Sequence, residues 1–390
     1  SMSSSPHSRL STRALLLLAL LLTPQGCLPD SSGQECPYAC QSGYHCNDSG
    51  DACVADLTAF LNRSDFSPLL DAMPLGDETH LLLYDRLGNR FIYSVQPAEG
   101  SLTWEGVAGV DGPVNWTPKL KLMGVDGRTW GIIESAPGKL SQIERFQDGW
   151  KTTTLASAES SLVSFDATYD SSQGLALCAA DTSGHLFFGW RKPKSTFHFE
   201  EVQIVGSKQT PHAPCSVIIS GGRVLLFAGG HPSGVLTLLR DDESGWKGSP
   251  LDELALPTDL KSMLLQGVPV AFYLDAATGA LQAALGESGA ASITQLDGSA
   301  ADDSGGEQGS RFSIAKDPAH DLILVGYFDH VSSMLTVIAY QLEQDWVVVQ
   351  KLSETPFSPV LVAYPSGAVS AFTVMEDSDG LGELAQFPLL

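Results

Sequence analysis

Carboxylates placed a few residues before a glycine are the most repetitive chemical feature of this 390-residue chain. Glu134-Ser135-Ala136-Pro137-Gly138, Asp181-Thr182-Ser183-Gly184, Asp275-Ala276-Ala277-Thr278-Gly279 and Glu376-Asp377-Ser378-Asp379-Gly380 share it, and Asp329-His330 puts a carboxylate at the matching turn without the glycine. Gly230-His231-Pro232-Ser233-Gly234 puts a histidine at the matching place, with His212 as its neighbour on the same rim. Gathered around one channel mouth, Glu134, Asp181, Asp275, Asp329 and Asp377 would focus negative potential on a cation or a basic partner. Asp377 and Asp379, alternate oxygen donors before a glycine turn, form a candidate calcium site, since that hard cation takes oxygen ligands. No other cofactor is implied. The local alternative is commoner: the carboxylate caps backbone N–H groups while the glycine supplies the left-handed conformation.

Motifs for hydrolytic or nucleotide chemistry are missing. There is no G-x-S-x-G, no H-E-x-x-H, no G-x-x-x-x-G-K-[ST] and no full EF-hand loop. His198-Phe199-Glu200 has the H-x-E of a deaminase without the P-C-x-x-C that must follow. Arginines that might grip a substrate carboxylate do not recur at equivalent places in the repeat described below.

The elements that must position these residues are strands. From about residue 57 onward, short runs rich in Val, Leu, Ile, Phe and Tyr recur every 8 to 12 residues between Gly, Asp, Ser and Pro, which is the all-β pattern. A longer period lies over it. Trp150, Trp246 and Trp346 each open the last strand of a unit and stand 96 and 100 residues apart, two units of about 48 to 50 residues. The units fall at 79–108 (partial), 118–156, 160–205, 213–255, 259–298, 309–354 and 357–390. A partial first unit and a last unit short of one strand suit a ring closed by pairing the two ends of the chain, which removes exposed sheet edges. The expected fold is all-β: a β-propeller of about seven four-stranded blades, six or eight being the neighbouring counts, over residues 57–390. Gly298–Gly309 is polar enough for a linker and equally suits a loop between blades. The tryptophans are expected to fill the wedges between blades; lining a sugar pocket is the alternative.

By this repeat the chain resembles secreted bacterial propeller proteins, including lectin-like and sialidase-like groups. Val125-Asp126-Gly127-Arg128-Thr129-Trp130 is similar to a shortened sialidase Asp-box, although an Asp-Gly turn before an aromatic strand accounts for it without kinship.

The N-terminus reads as a targeting segment. Arg9 and Arg13 precede the apolar run Ala14–Leu22, too short to span a bilayer, so residues 1–26 are expected to be a cleaved signal peptide. Gly26-Cys27 resembles the end of the lipobox of bacterial lipoproteins, in which the cysteine is acylated; Pro24 and Gln25 depart from that pattern. Residues 27–56 follow as a small Cys-rich stalk. Cys36, Cys40, Cys46 and Cys53 lack the paired C-x2-C spacing of zinc sites and are expected to form two disulfides, and Cys178 and Cys215 a third or two buried thiols.

The 45 Asp and Glu against 22 Lys and Arg leave a net charge of −23 with no basic block, which excludes nucleic acid as a partner. Membrane contact is expected only through the lipid anchor. The expected protein is therefore exported to the bacterial outer membrane, periplasm or surface, as a monomer. It is expected to be a non-catalytic binding or scaffold protein for a glycan or an envelope protein. The alternative is a carbohydrate-active hydrolase or lyase with carboxylates in the central channel.

Overall fold

The computed structural model describes residues 44–46, 53–55 and, with interruptions at loops, 65–389. The interruptions fall at 98–101, 108–118, 148, 205–208, 242–244, 287–291, 298–311, 330–333, 343–345, 352–358, 377–378 and 380. Cys27, Cys36, Cys40, Asp377 and the 298–309 segment therefore lie outside the described residues, as does the signal segment.

Seven antiparallel sheets follow one another along the chain and form a seven-bladed β-propeller. Blade 1 is Phe66–Leu75, Glu78–Asp85, Arg90–Gln96 and Thr103–Gly106; blade 2 is Leu120–Val125, Arg128–Ala136, Lys139–Phe146 and Gly149–Ser157. Blade 3 runs from Leu162–Asp170 through Gly174–Asp181 and Leu186–Arg191 to His198–Glu201; blade 4 from Thr210–Ser220 through Arg223–His231 and Val235–Asp241 to Gly245–Asp252. Pro257–Leu265, Val268–Asp275, Ala280–Leu285 and Ser292–Asp297 make blade 5. Phe312–Asp317, Leu322–Asp329, Met334–Tyr340 and Val347–Lys351 make blade 6. Among the described residues no helix is long and apolar enough to cross a membrane.

Burial explains why the blades are legible. The second strand of each blade is covered on both faces by neighbouring blades, so it reads as an unbroken apolar run rather than an alternating one: Gly174–Asp181 is buried at every position. Outer strands such as His198–Glu201 are half-exposed. Seven hydrophobic clusters fill the seven seams; one joins Leu82, Phe91 and Tyr93 of blade 1 to Leu122, Ile133 and Ile143 of blade 2.

Blade 7 corrects the expected ends. Its strands Val360–Ala363, Val369–Glu376 and Gly382–Pro388 are completed by Cys53–Ala55, and Tyr44–Cys46 adds a fifth outer strand. Blade 1 is complete, because Phe66–Leu75 is the inner strand that the partial first unit omitted. The ring does close by pairing the two ends of the chain, but the N-terminal contribution comes from the segment expected to be a stalk. Tyr44, Cys53 and Ala55 pack in one cluster with Phe66 and Leu81 of blade 1 and Phe372 and Leu384 of blade 7. Tyr44 also donates its hydroxyl to Gln96 at 3.5 Å, and Gln96 donates to Gln386 at 3.4 Å, tying blade 1 to blade 7.

Candidate functional site

The rim acids are buried rather than solvated. Glu134 is 0 % exposed, Asp181 2 %, Asp329 4 % and Asp275 6 %. Asp181, Asp275 and Asp329 end the second strand of their blades and Glu134 stands two residues before the end of its own, where the chain must turn and leaves N–H groups without ladder partners. Glu134 Oε1 accepts from Gly138 N at 2.8 Å and from Leu162 N of blade 3 at 2.9 Å. Asp181 Oδ1 accepts from Ser183 N and His185 N, both at 3.0 Å. Asp275 takes Leu256 N at 2.8 Å, Ala277 N at 3.1 Å and the Thr278 hydroxyl at 2.8 Å. These acids stitch turns to the chain entering the same or the next blade. Of the two readings of these acids, turn capping is the one that Glu134, Asp181 and Asp275 follow. Asp379 lies in an exposed turn, and among the described residues no three His, Cys, Asp or Glu side chains converge as a metal site.

His212 and His231 do come together, with ring centroids 6.0 Å apart. Cys46 and Cys53, directly opposite in the strand register, are both disulfide-bonded. Cys178 and Cys215 are free thiols buried together at the seam of blades 3 and 4. Burial, reinforced by the neighbouring Cys215 thiol, pushes Cys178 well above the usual thiol range and makes it a poor nucleophile.

Two other places gather charged groups into a groove or a cavity. At the seam of blades 1 and 2, Glu105 on the outer strand of blade 1 accepts from Arg145 Nε at 2.7 Å and from Trp150 Nε1 at 3.1 Å. The Arg145 guanidinium stands 5.1 Å from the Tyr93 ring centroid, and Tyr93 meets Trp150 edge-on at 4.9 Å. At the seam of blades 3 and 4 the same arrangement recurs. Glu200 accepts from Trp246 Nε1 at 3.0 Å and pairs with Arg240 Nε at 3.2 Å. Arg240 lies 4.1 Å over the Trp190 ring, and Phe188 meets Trp246 edge-on at 5.1 Å. The matched residues are spaced 95 (Glu105 to Glu200), 95 (Arg145 to Arg240) and 96 (Trp150 to Trp246).

So arginines do recur at equivalent blade positions, against the expectation from the sequence. The tryptophans fill the wedges as expected, and Trp150 and Trp246 each also fix a carboxylate of the preceding blade. At the seam of blades 5 and 6, Trp346 Nε1 donates to the Gln295 carbonyl at 3.1 Å rather than to a carboxylate, and Tyr340 stands six residues before it where an arginine stands before Trp246. Both ion pairs stay partly open to solvent, with side chains 41 % and 40 % exposed for Arg145 and Glu105, and 34 % and 33 % for Arg240 and Glu200. Each groove thus presents a guanidinium fork, a carboxylate edge and an aromatic wall, with the two charges cancelling. That set suits adjacent hydroxyl groups, which donate to the carboxylate and accept from the fork.

The second place is a cavity of about 580 Å³ on the ring axis, lined by the inner strands. Four residues before the end of those strands stand Asp71, Lys121, Asp166, Ser216, Lys261 and Ser313, one from each of blades 1 to 6. Polar side chains here reach the backbone of the next blade. Leu122 N donates to Asp71 at 2.7 Å, Val217 N to Asp166 at 3.2 Å, Ser262 N to the Ser216 hydroxyl at 2.9 Å and Leu361 N to that of Ser313 at 3.2 Å. Lys121 pairs with Asp166 at 3.4 Å. Burial lowers the Lys121 ammonium, but Asp166 and Asp71 outweigh it and hold the group above the ordinary lysine range. Asp71 is pushed above the ordinary carboxylate range by burial, which Lys121 opposes.

A ring of seven four-stranded blades with grooves at its seams defines the class: a propeller scaffold whose variable parts are its seams and its axis. No family model and no curated protein matches the chain. Solved structures share its fold. The BP39L lectin from Burkholderia pseudomallei is 16 % identical with a TM-score of 0.60, over 83 % of this chain and 96 % of that one. A streptogramin B lyase aligns at 12 % identity and a TM-score of 0.51, over 84 % and 94 %. An ancestral GH74 enzyme aligns at 8 % and 0.53, over 94 % of this chain and 51 % of that one.

Proposed function

We propose that the protein is a non-catalytic glycan-binding propeller, and that it binds neutral sugars in the grooves between blades 1 and 2 and between blades 3 and 4. The observation that carries this is the duplicated Glu105–Arg145–Trp150 and Glu200–Arg240–Trp246 arrangement, with charges paired yet open to solvent. A structural neighbour named as a lectin is consistent with it. In this reading the chain is exported by residues 1–26 and held at the envelope through acylated Cys27, with Cys36 and Cys40 completing the disulfides of Cys46 and Cys53. Labelled palmitate should enter the wild type and be absent from Cys27→Ser.

The grooves are tested on an array of neutral and charged oligosaccharides. Wild-type protein should retain a neutral glycan that Arg145→Ala/Arg240→Ala loses. Equal retention by the double variant would refute the assignment.

One observation favours a hydrolase instead. Asp71 lines the cavity with its carboxyl raised by burial, as a general acid would need. Glycoside hydrolysis also needs a second carboxylate as base or nucleophile. Asp166 is occupied by Lys121, the Ser216 hydroxyl at 2.7 Å and the N–H groups of Val217 and Ala167. Release of sugar from an array glycan, abolished in Asp71→Asn, would make the hydrolase the better account.

A further inference from the structure

The polar layer on the propeller axis is unequal around its circumference. On the side of blades 1 to 3, Asp71 and Asp166 flank Lys121, two negative charges against one positive, and the two acids also accept backbone N–H groups. On the side of blades 4 to 6 the order is Ser216, Lys261, Ser313, so Lys261 has no acid beside it in the layer. Lys119, two residues before Lys121 on the channel side of blade 2, lines the same cavity. Neither Lys119 nor Lys261 has a carboxylate within ion-pair distance among the described residues. Lys119 feels the charges of Glu134 and Asp259, and Lys261 acts on the Asp71 carboxyl across the layer; Asp259 is itself held by backbone, its Oδ1 accepting Leu260 N at 2.9 Å and its Oδ2 Phe312 N at 3.4 Å.

Two ammonium groups thus line one half-enclosed cavity of about 580 Å³ without a counter-charge in contact. Such groups are costly to desolvate unless paired. The strain is visible at Lys119. Burial holds its ammonium below the ordinary lysine range, Glu134 and Asp259 oppose that, and Lys261 adds to it, so the two lysines lie within reach of each other's charge.

We infer that the axial cavity is an anion-binding site, separate from the grooves, in which Lys119 and Lys261 hold a carboxylate or phosphate group of a small molecule. Ser313, beside Lys261 in the layer, lines the same cavity with its hydroxyl, whereas the Ser216 hydroxyl is committed to Asp166. Volume and position limit the occupant to a small molecule entering along the axis, and exclude a polymer lying across the face. The site does not depend on the glycan reading, since it shares no residue with either groove.

Calorimetric titration of the full chain with inorganic phosphate, and separately with acetate, tests this. Saturable binding at one site per chain is expected for at least one anion, and which one binds tells phosphate recognition from carboxylate recognition. Lys261→Met and Lys119→Met should each weaken it by about tenfold or more, the scale of losing one charge-assisted contact. No saturable binding of either anion to the wild type, or unchanged affinity in both variants, would overturn the assignment. If a variant loses its β-sheet circular dichroism, wild-type crystals soaked in bromide decide instead. An anomalous peak between the two ammonium groups supports the site, and an empty axis refutes it.

Discussion

Glu134 shows how one side chain serves the ring. It is fully buried, its Oε1 closes a turn through Gly138 N and also holds Leu162 N at the entry to blade 3, and its Oε2 has no hydrogen-bond partner. Replacement by Ala should cost about 2 to 4 kcal/mol in chemical denaturation, because two buried N–H groups lose their acceptor. Gln keeps one acceptor oxygen without a buried charge, so Glu134→Gln should stay within about 1 kcal/mol of wild type at neutral pH. Burial, the largest influence, raises this carboxyl above the ordinary range despite the N–H bonds that lower it. A raised pKa means that the folded state favours the protonated form. The resulting stability is therefore full below the unfolded carboxylate pKa and is lost as pH rises through the folded one. Melting curves across mildly acidic pH should show that loss in wild type and not in Glu134→Gln; parallel curves would contradict it. The role of Glu134 as a turn acid was legible in its spacing before Gly138. Its burial was not, because the covering surface belongs to a blade whose register the local sequence does not specify.

Strands were legible in proportion to how completely they are covered. Second strands such as Leu322–Asp329 are buried at nearly every position and stand out as apolar runs, and the tryptophan period located the outer strands. Cys53–Ala55 could not be found this way. It has three residues, lies between turn-forming residues, and is a strand because Gly382–Pro388 offers it an unpaired edge and Tyr44–Cys46 pairs on its other side. The Glu and Arg of the grooves were missed for a related reason: Arg145 and Glu105 are 40 residues apart on different blades, and only the 95-residue spacing of both residue types connects them to Arg240 and Glu200. Closure itself can be tested at Gly382, where a Cβ would run into the Phe66 carbonyl oxygen of blade 1. Gly382→Ala should lower the melting temperature by several degrees, as a mutation costing about 1 to 3 kcal/mol does in a chain of this size. Tyr44→Ala should cost about 3 kcal/mol by emptying the cluster that joins blades 7 and 1. If neither change alters the midpoint, the N-terminal strands do not close the ring.

At the scale of the whole molecule, the seven seams do the work that a single core does in other folds, and each seam can vary its outer rim without disturbing its filling. Two seams carry the charged groove and the seam of blades 5 and 6 carries a tyrosine and a glutamine in its place, so the proposed function makes site number a matter of a few surface residues on a constant scaffold. The net charge of −23 keeps polyanions away and is of no consequence for a neutral sugar. Counting sites is therefore the most direct test of the proposed function. Calorimetric titration with the neutral glycan retained on the array should give two sites per chain, falling to one in Arg145→Ala or Arg240→Ala and to none in the double variant. Any other stoichiometry in the wild type, or one that the arginine substitutions leave unchanged, would contradict the account.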